Sequence, residues 1–402
     1  MQTATITLSP KPSDLKMFDP RTYDQIRKSV TEASTLPPFC YTSAEFYRAE
    51  VKHMFMKVWN FLGRADRIQK AGDYFTIDYV GVGLIILRDR DGSIKAFANS
   101  CRHRGTRIID AEMIDTIDNT RGLKCPYHSW VYGLDGSLKG APGMEETVGF
   151  DKTQSGLIPV RIETWGGFLF VNFDNDAEPL LDYLGDMPQV LESYKCEDLI
   201  LTRIKVHEVE CNWKTHIENA MEDYHVPTVH GSTLNLLKVD HFNVPTKGAW
   251  FNMRERHEGT RALLEEDRKY AFPLNPSIRD HAAQGTNFVC INPSTMLGMT
   301  LDCVWYIELH PLGPTRTRVV VGSCFPKATT ELPDFAERAK FYYKRWDKSI
   351  GEDNVIAVLQ QRGLSSPMAE VGRMSKHEYL IPKLGAWWID HTIDRGAALE
   401  RA

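Results

Sequence analysis

The sequence predicts an α+β protein of two domains: a small antiparallel β domain, followed by a larger antiparallel sheet flanked by helices. The first reason is length, because 402 residues exceed what one small core usually holds. The second is a series of strand-like runs with tight turn signals after residue 59, and the third is a later mixture of helical and strand-like runs. We place an N-terminal extension at 1–45, the small domain at 46–175 and the large domain at 176–402.

The small domain is predicted to begin with one helix and to continue with strands. Residues 44–58 carry apolar side chains at helical spacing after Ser43, a favourable N-cap residue. The strand-like runs that follow are WNFLGRA, DYFTIDYV, GLIILRD, IKAFANS and, last, GGFLFVNFD. Asp91-Gly92 and Asp135-Gly136 lie between strand-like runs and predict hairpin turns.

The large domain is predicted from residue 176, where the composition changes. PLLDYLGDMPQVLESY and NWKTHIENAMEDYH predict helices, whereas ILTRIKVHEVE, TNFVCINP, DCVWYIELHP and RTRVVVGSCFP predict strands. Residues 331–363 predict two helices in series. Residues 247–280 have mixed polarity and weak periodicity, so we expect a mobile loop over the functional site.

Composition excludes several kinds of partner. Hydrophobic content of 42% and charged content of 25% are ordinary for a globular protein. A net charge of −5 argues against nucleic acid or an anionic membrane as a partner. The first residues show no secretory signal, and no apolar run approaches the roughly 18 residues of a spanning helix. We therefore expect a cytoplasmic protein that neither binds nucleic acid nor enters a membrane.

The eight cysteines favour reduced thiols and metal ligation over disulfides, because no export signal accompanies them. Cys101 and Cys125 differ from the rest in their neighbours, since with His103 and His128 they form a C-x-H and a C-x2-H pair. The other six are expected to be core thiols: Cys40, Cys196, Cys211, Cys290, Cys303 and Cys324.

The four residues Cys101, His103, Cys125 and His128 can hold either a metal ion or an iron–sulfur cluster. Thiolate and imidazole suit zinc, but the C-x-H step is unusual for a structural zinc site, which is the alternative interpretation. In a Rieske [2Fe-2S] cluster, two histidines replace two cysteines on one of the irons, and this needs two of each. We expect the two pairs to lie in loops at the tip of the β domain, where a stiff frame makes them converge.

The flanks of these ligands carry a resemblance. CRHRG and CPYHSWVYGLDGSL resemble the two ligand loops of Rieske domains. From about residue 45 to at least Gly363, the chain is similar to the α subunit of Rieske non-haem iron oxygenases. The resemblance implies a [2Fe-2S] Rieske cluster in the small domain and a mononuclear Fe(II) in the large one.

A second group of candidate ligands lies between Glu222 and His230. Glu222 and His225 are three residues apart and would share one helix face, while Pro227 should end the regular turn at Val226. That break would let His230 turn back toward His225. Two imidazoles and one carboxylate form a facial triad that leaves positions open on Fe(II). The alternative is that both histidines only make hydrogen bonds.

The segment NWKTHIENAMEDYHVPTVH also resembles the iron-binding segment of the family. The resemblance assigns ligand roles to His225 and His230, and it gives Glu222 the role of the carboxylate that bridges the two metal centres. Asp223 is the competing candidate for the bridge, and Asn219 is expected to shape the iron surroundings. Ring-dihydroxylating members mostly carry Asp at the bridge, whereas Glu is typical of the branch with carnitine and choline monooxygenases.

The third iron ligand is expected from a later helix. Ser349 and Glu352 have capping-box spacing, which predicts a helix start and places Asp353 in its first turn. GEDNVIAVLQQRGLSS resembles the family stretch whose Asp is the carboxylate ligand, which assigns Asp353. Glu352 and Asp347 are the alternatives.

The resemblance implies the oxygenase component of a multi-component enzyme that uses dioxygen. In the family the subunits form a trimer, and the cluster of one faces the iron of its neighbour, so the implied route is His128, Glu222, His225. No flavin, nicotinamide or plant-type ferredoxin fingerprint accompanies the two metal motifs. A separate NAD(P)H-dependent reductase, with or without a ferredoxin, should therefore supply electrons.

The expected reaction is mono-oxygenation, by hydroxylation or oxidative demethylation, of a small organic molecule. Quaternary ammonium compounds are candidate substrates because aromatic side chains bind such cations. The alternative is an aromatic-ring dioxygenase that forms cis-dihydrodiols; a Rieske electron carrier without the second metal site would be a shorter chain. The candidate pocket aromatics are Trp250, Phe251, Trp305, Tyr306, Trp387 and Trp388.

Overall fold

The structure is a computed structural model that describes residues 16–234 and 241–394. The beginning of the predicted N-terminal extension, residues 1–15, therefore lies outside the described residues, as does the end of the predicted large domain. Within the described ranges the fold is α+β, as the sequence predicts, with three antiparallel sheets: two in the first domain and one in the second. No helix of these ranges is long and apolar enough to cross a membrane.

The strands of the first domain form one larger antiparallel sheet and one small one. Their order in the larger sheet is β1-β10-β9-β4-β3-β2-β5, and β6, β7 and β8 form the small sheet. In chain order the strands are β1 (Asn60–Arg64), β2 (Asp73–Tyr79), β3 (Val82–Arg88), β4 (Ile94–Ala98), β5 (Asp118–Asn119), β6 (Leu123–Lys124), β7 (Val131–Tyr132), β8 (Leu138–Gly140), β9 (Pro159–Trp165) and β10 (Phe168–Asn172).

The strands of the second domain form a sheet in the order β11-β17-β16-β15-β14-β13-β12. The central pair β16 and β17 is buried almost throughout, which fits runs rich in β-branched and aromatic residues. These strands are β11 (Leu199–Val209), β12 (His241–Phe242), β13 (Trp250–Arg256), β14 (Gly285–Ile291), β15 (Thr295–Met299), β16 (Val304–Gly313) and β17 (Arg316–Pro326).

The described α-helices are mostly short, apart from one that runs along the second domain. Short 3-10 and π-helical turns connect them, including a π-helix at Glu50–Phe55 that continues α2. The α-helices are α1 (Phe39–Thr42), α2 (Ala44–Ala49), α3 (Leu180–Leu184), α4 (Met187–Val190), α5 (Trp213–Ala220), α6 (Val226–Val229), α7 (Lys327–Thr330), α8 (Phe335–Leu364) and α9 (Ile381–Ile389).

Most predicted elements are confirmed by the structure. Ser43 caps α2, and its hydroxyl accepts from the backbone of Glu45 and Phe46 at 3.1 and 3.2 Å. The turns at Asp91-Gly92 and Asp135-Gly136 connect strands, and both glycines have positive φ. All eight cysteines fall in the described ranges and are buried free thiols.

The predicted break in the last long helical region is wrong. Residues 335–364 form one continuous helix, α8, in which Ser349 and Glu352 lie in the middle instead of at a cap. The Ser349 hydroxyl donates to the carbonyl of Trp346 inside the helix, so it does not act as an N-cap. One continuous buried face along α8 stabilises the helix through this point.

Three further elements differ from the sequence prediction. The helix expected over 212–225 ends at Ala220, and Pro227 lies in the first turn of α6, where proline is tolerated, instead of ending a turn. Residues 247–280 are not wholly a loop, because β13 pairs with β14 along its length. The helix expected at 179–194 is two short helices, α3 and α4, separated by Gly185 with positive φ.

Buried polar contacts connect the two domains. Arg64, which is 1% exposed, donates from Nη1 to the carbonyls of Gly166 and Cys196 at 2.7 and 2.9 Å. Asp66 accepts from the backbone of Leu201, the second domain's edge strand, at 2.8 Å. A guanidinium that satisfies carbonyls of both domains holds β1 against the start of β11.

Candidate metal centres and substrate cavity

The candidate cluster ligands lie on two tight loops of the first domain. In the loop after β4, the Cys101 carbonyl accepts from the backbone of Gly105 at 2.9 Å, and Gly105 has a φ of +74° that suits glycine. Between β6 and β7, the Cys125 amide donates to the carbonyl of Trp130 at 2.8 Å. Both loops therefore place a buried cysteine at the base and a histidine nearer the tip.

The four predicted cluster residues occupy adjoining loops, and their histidines meet. Nδ1 of His103 lies 3.1 Å from Nδ1 of His128, and Trp130 stacks on the His103 ring with centroids 4.9 Å apart. Desolvation and the neighbouring His103 lower the pKa of His128, which favours the neutral form of that imidazole. The hydroxyl of Tyr132 lies 3.2 Å from Sγ of Cys101. Two converging Nδ1 atoms and two buried thiols fit the donor set of a Rieske cluster.

The second group of candidate ligands converges although the three residues are far apart in sequence. Ligand atoms of His225, His230 and Asp353 all lie within 4.8 Å of one another. Nε2 of His230 is 3.0 Å from Oδ1 of Asp353, and Nε2 of His225 is 3.7 Å from the same oxygen. The single turn α6 brings the two imidazoles to 5.2 Å between ring centroids.

The opposite nitrogen of each imidazole is held by a glutamate. Nδ1 of His225 lies 2.6 Å from Oε1 of Glu222, and Nδ1 of His230 lies 2.7 Å from Oε2 of Glu352. An ionised carboxylate can only accept, so each Nδ1 carries a proton, and each Nε2 is the nitrogen that faces Asp353 and can bind a metal. This carboxylate–histidine arrangement is typical of metal-binding histidines.

A divalent metal fits the donor set of this triad. Oδ1 of Asp353 is buried and accepts no hydrogen bond from the described residues. Burial lowers the pKa of His230, but the neighbouring Asp353 and Glu352 outweigh it and raise the pKa overall. Two imidazole lone pairs and one carboxylate oxygen aimed at one point form the two-histidine, one-carboxylate set of non-haem iron sites.

The structure also separates the alternatives that the sequence leaves open. Asp347 forms ion pairs with Arg203 and Lys205 at 2.8 and 2.9 Å and does not belong to the triad. Glu352 contacts the far side of His230 and also accepts from Thr233, so it supports a histidine instead of joining the three ligand atoms. This role has no local signal in the sequence, because the contact joins residues 122 positions apart.

A cavity of about 590 Å³ opens onto the triad. Its described lining comes entirely from the second domain, and Asn219, Glu222 and Asp223 are part of it. Of the six aromatic residues proposed from the sequence, Trp305 lines it, whereas Tyr306 and Trp388 are buried in the core. The apolar part of the wall is formed by Met253, Leu263, Phe288, Met296, Ile307 and Ile350.

Comparison with known families matches both halves of the chain. The model of the Rieske [2Fe-2S] domain matches residues 58–160, and the model of the ring hydroxylating alpha subunit (catalytic domain) matches residues 196–393. The chain belongs to the Rieske oxygenases. The Rieske domain of such an oxygenase implies a [2Fe-2S] cluster, and its catalytic domain implies a mononuclear iron, which agrees with the two donor sets.

Individual relatives of this Rieske oxygenase include both monooxygenases and dioxygenases. The carnitine monooxygenase oxygenase subunit of Acinetobacter baumannii is 30% identical over 63% of the chain and 66% of its own length. The large oxygenase component of the 2,4-dinitrotoluene dioxygenase system of a Burkholderia species is 39% identical over 51% of the chain and 46% of its own length. The chain thus spans less than two thirds of these relatives.

Solved structures support the same fold. The crystal structure of a quaternary ammonium Rieske monooxygenase in complex with L-carnitine superposes with a TM-score of 0.76 at 24% identity, covering 92% of this chain and 98% of the other. At 24% identity, this similarity shows that the two proteins share a fold and nothing more.

Proposed function

We propose that this Rieske oxygenase is the oxygenase component of a multi-component enzyme that mono-oxygenates a small organic molecule. Dioxygen is the oxidant, and a separate NAD(P)H-dependent reductase, with or without a ferredoxin, supplies the electrons. The observation that carries the proposal is the triad His225, His230 and Asp353, whose three ligand atoms lie close together in the wall of a cavity. Three protein ligands leave other positions of an iron free for reactants.

We assign each ligand as the donor sets indicate. Cys101, Cys125, His103 and His128 hold the [2Fe-2S] cluster, and the triad holds the mononuclear iron. When bound, these two groups supply the one-electron transfers and the dioxygen activation that the reaction class needs.

The protein residues around the triad fix its geometry before any substrate arrives. Glu222 and Glu352 hold the imidazoles of His225 and His230 in one tautomer and one orientation. Asp353 lies on α8, a rigid element whose buried face packs against α5 and the sheet. Ligands on such elements stay in place more accurately than ligands on loops.

The cavity controls what reaches the reactive end. Apolar side chains such as Phe288, Met296 and Ile307 exclude water and orient the apolar part of a substrate by contact. The triad forms part of this wall, so the substrate group closest to it is the one that is oxidised.

Mono-oxygenation is favoured over dihydroxylation by the residue at the proposed bridge. Glu222 stands where the branch with carnitine and choline monooxygenases has Glu, and the carnitine monooxygenase relative supports that branch. The dinitrotoluene dioxygenase relative supports the alternative, an aromatic-ring dioxygenase.

We further propose a homotrimer in the cytoplasm, in which the cluster end of one subunit meets the cavity end of the next. Tyr127, beside the cluster ligand His128, is 54% exposed, and Tyr224, beside the triad residue His225, is 58% exposed. Apolar surface next to both metal centres suits an interface between copies. Glu222 would then connect His225 to the neighbour's His128.

Labelled dioxygen tests the proposed reaction. Protein reconstituted with iron and sulfide is supplied with a reductase, NADH and candidate substrates under ¹⁸O₂, and the product is analysed by mass spectrometry. We expect one labelled oxygen in the product, or in formaldehyde released by demethylation. Two labelled oxygens in a cis-diol would instead establish the dioxygenase. Protein without the visible absorption of a Rieske cluster would contradict both reactions.

A further inference from the structure

Three arginines line the cavity, and they differ in whether a carboxylate forms an ion pair with them. Nη1 of Arg261 lies 3.5 Å from Oε2 of Glu255, and Nη2 of Arg268 lies 2.8 Å from Oε2 of Glu265. Arg345 is the third, and among the described residues no carboxylate lies within ion-pair distance of its guanidinium. Of the three, Arg345 is therefore the arginine that forms no ion pair with a carboxylate of the described residues, although Glu255 and Asp353 act on its charge from farther away.

The guanidinium of Arg345 is buried and has unused donors. The residue is 9% exposed, its Nη1 donates to Oγ of Ser349 at 3.2 Å, and its Nε has no hydrogen-bond partner among the described groups. Burial lowers the pKa of Arg345, yet a guanidinium stays protonated in proteins. A buried cation with unpaired donors costs free energy, and an anion in the cavity would recover that cost.

We propose that Arg345 binds an anionic group of the substrate, and that the substrate is therefore a small organic carboxylate. The inference rests on the proposed function, because it concerns the same cavity. Arg345 also lies over the face of Trp305, 5.5 Å from the ring centroid, so this aromatic side chain already contacts a cation. The wall therefore suits a carboxylate better than a bare cation, since a second positive charge near Arg345 would be repelled.

The position of Arg345 on α8 also limits the length of the substrate. Arg345, Ser349 and Asp353 are four residues apart and share one face of the helix. Their spacing places the Cα atoms of Arg345 and Asp353 about 12 Å apart along the axis. Because Nη1 of Arg345 donates to Ser349, one turn closer to Asp353, an acid held by the guanidinium has less than this distance to span to the triad.

Arg261 lies where it can contribute to binding the same anion. It lines the same cavity, and its Nη2 has no hydrogen-bond partner among the described residues. It is close enough to Arg345 to lower the pKa of that side chain. Glu255 and Asp353 act electrostatically on Arg345 as well, but neither forms an ion pair with it, so the unpaired donors of Arg345 and Arg261 stay available to an anion in the cavity.

Binding of matched probes tests the proposal without turnover. Benzoate, the neutral benzamide and the cation phenyltrimethylammonium are titrated into the metal-loaded protein by isothermal calorimetry. We expect benzoate to bind roughly tenfold or more tightly than benzamide, as a charge-assisted hydrogen bond allows, and the cation most weakly. Benzamide or the cation binding as tightly as benzoate would overturn the proposal, as would no benzoate binding at millimolar concentration.

Substitutions test whether Arg345 causes the preference for benzoate over benzamide. Arg345→Gln should reduce the preference for benzoate to about twofold or less, while Arg345→Lys keeps part of it because the charge remains. Arg362→Gln changes an exposed arginine on the same helix and should leave the preference intact. Cluster absorption and the thermal midpoint show whether each variant is folded, and Arg345→Lys carries the test if Arg345→Gln is not.

Two controls distinguish anion binding by Arg345 from binding by the metal and from a purely structural role of Arg345. A metal at the triad also attracts carboxylates, so the titrations are repeated in His225→Ala; loss of the preference there would assign it to the metal and overturn the proposal. If Arg345→Gln loses mononuclear iron but keeps the preference, Arg345 holds Asp353 instead. The proposed function fails on a different measurement, because absent dioxygen uptake by wild-type protein with a reductase is independent of probe selectivity.

Discussion

Glu352 and Asp353 are neighbours in one helix and serve different atoms of the same site. Asp353 offers a buried oxygen with no hydrogen-bond donor among the described residues, as a metal ligand would. Glu352 reaches Nδ1 of His230 at 2.7 Å and also accepts from Thr233. The carboxylate of Glu352 therefore fixes which nitrogen of His230 is free to bind metal.

Removing the charge of Glu352 should weaken iron binding without removing the cluster. Glu352→Gln can donate as well as accept, so it no longer enforces one tautomer of His230, and we expect roughly 10- to 100-fold weaker retention of the mononuclear iron. Iron per subunit is measured after gel filtration against the visible absorption of the cluster. Glu337→Gln, an exposed position on the same helix, is the control. Unchanged iron retention in Glu352→Gln would show that Glu352 does not support His230.

At the residue scale, the candidate metal ligands that could be predicted from the sequence are those that lie close together along the chain. The pairs Cys101/His103 and Cys125/His128 each lie within one tight loop, and His225 and His230 lie on either side of one helical turn. The roles of Glu352 and Arg345 depend on contacts that only the tertiary fold creates. The sequence singles out Glu352 only as an alternative metal ligand, and nothing in the helical pattern indicates that it supports His230 or that Arg345 lines the cavity.

At the scale of elements, α8 shows how tertiary packing outweighs a local signal. Its sequence contains S-x-x-E and a glycine, which together favour a helix start near residue 350. The helix nevertheless continues, because buried residues recur on one face from Ala339 to Gln361. Packing along that face supplies more free energy than the roughly 1 kcal/mol that a glycine costs inside a helix.

Gly351 therefore offers a stabilising substitution. It lies in the interior of α8, and a Cβ added there would meet nothing within 4 Å. Gly351→Ala should raise the free energy of unfolding by roughly 0.5–1 kcal/mol, because alanine loses less backbone entropy in a helix. Chemical denaturation followed by circular dichroism measures the change.

Gly322→Ala is the control substitution, for which the opposite change in stability is expected. Its added Cβ would lie 1.9 Å from the ring of Tyr306 in the sheet, so this variant should be destabilised. If Gly351→Ala were also destabilised, the surface at Gly351 would be covered in the protein in solution, for example by a neighbouring subunit.

At the scale of the whole molecule, the architecture divides two tasks between two domains. The first domain holds its donors on loops of a stiff antiparallel sheet, and the second surrounds a cavity with a long helix and a second sheet. The alternation of strands and turns sufficed to predict this division. The extent of the cavity could not be predicted, because its wall combines β13, β14, β15, β16 and α8, which are distant in sequence.

The trimer proposed above predicts that inactive subunits can complement one another. Among the residues that the structure describes, the cavity lining comes from the second domain, and none of the four cluster donors is part of it. In a cyclic trimer the cluster of each subunit would serve the next subunit's iron. Cys101→Ser subunits lack the cluster and His225→Ala subunits lack the iron, so each homotrimer should be inactive.

Co-expression of the two variants with different affinity tags should restore activity. Half of the junctions in a random equal mixture offer an intact cluster, and half of those face an intact iron, so about one quarter of the wild-type activity per subunit is expected. Gel filtration confirms that both homotrimers assemble, and iron analysis confirms that Cys101→Ser keeps its mononuclear iron. Transfer within one chain would give no activity at any mixing ratio, because no subunit then holds both groups. The dependence on ratio is diagnostic as well, since activity carried across junctions is greatest at equal amounts and falls when either variant is in excess.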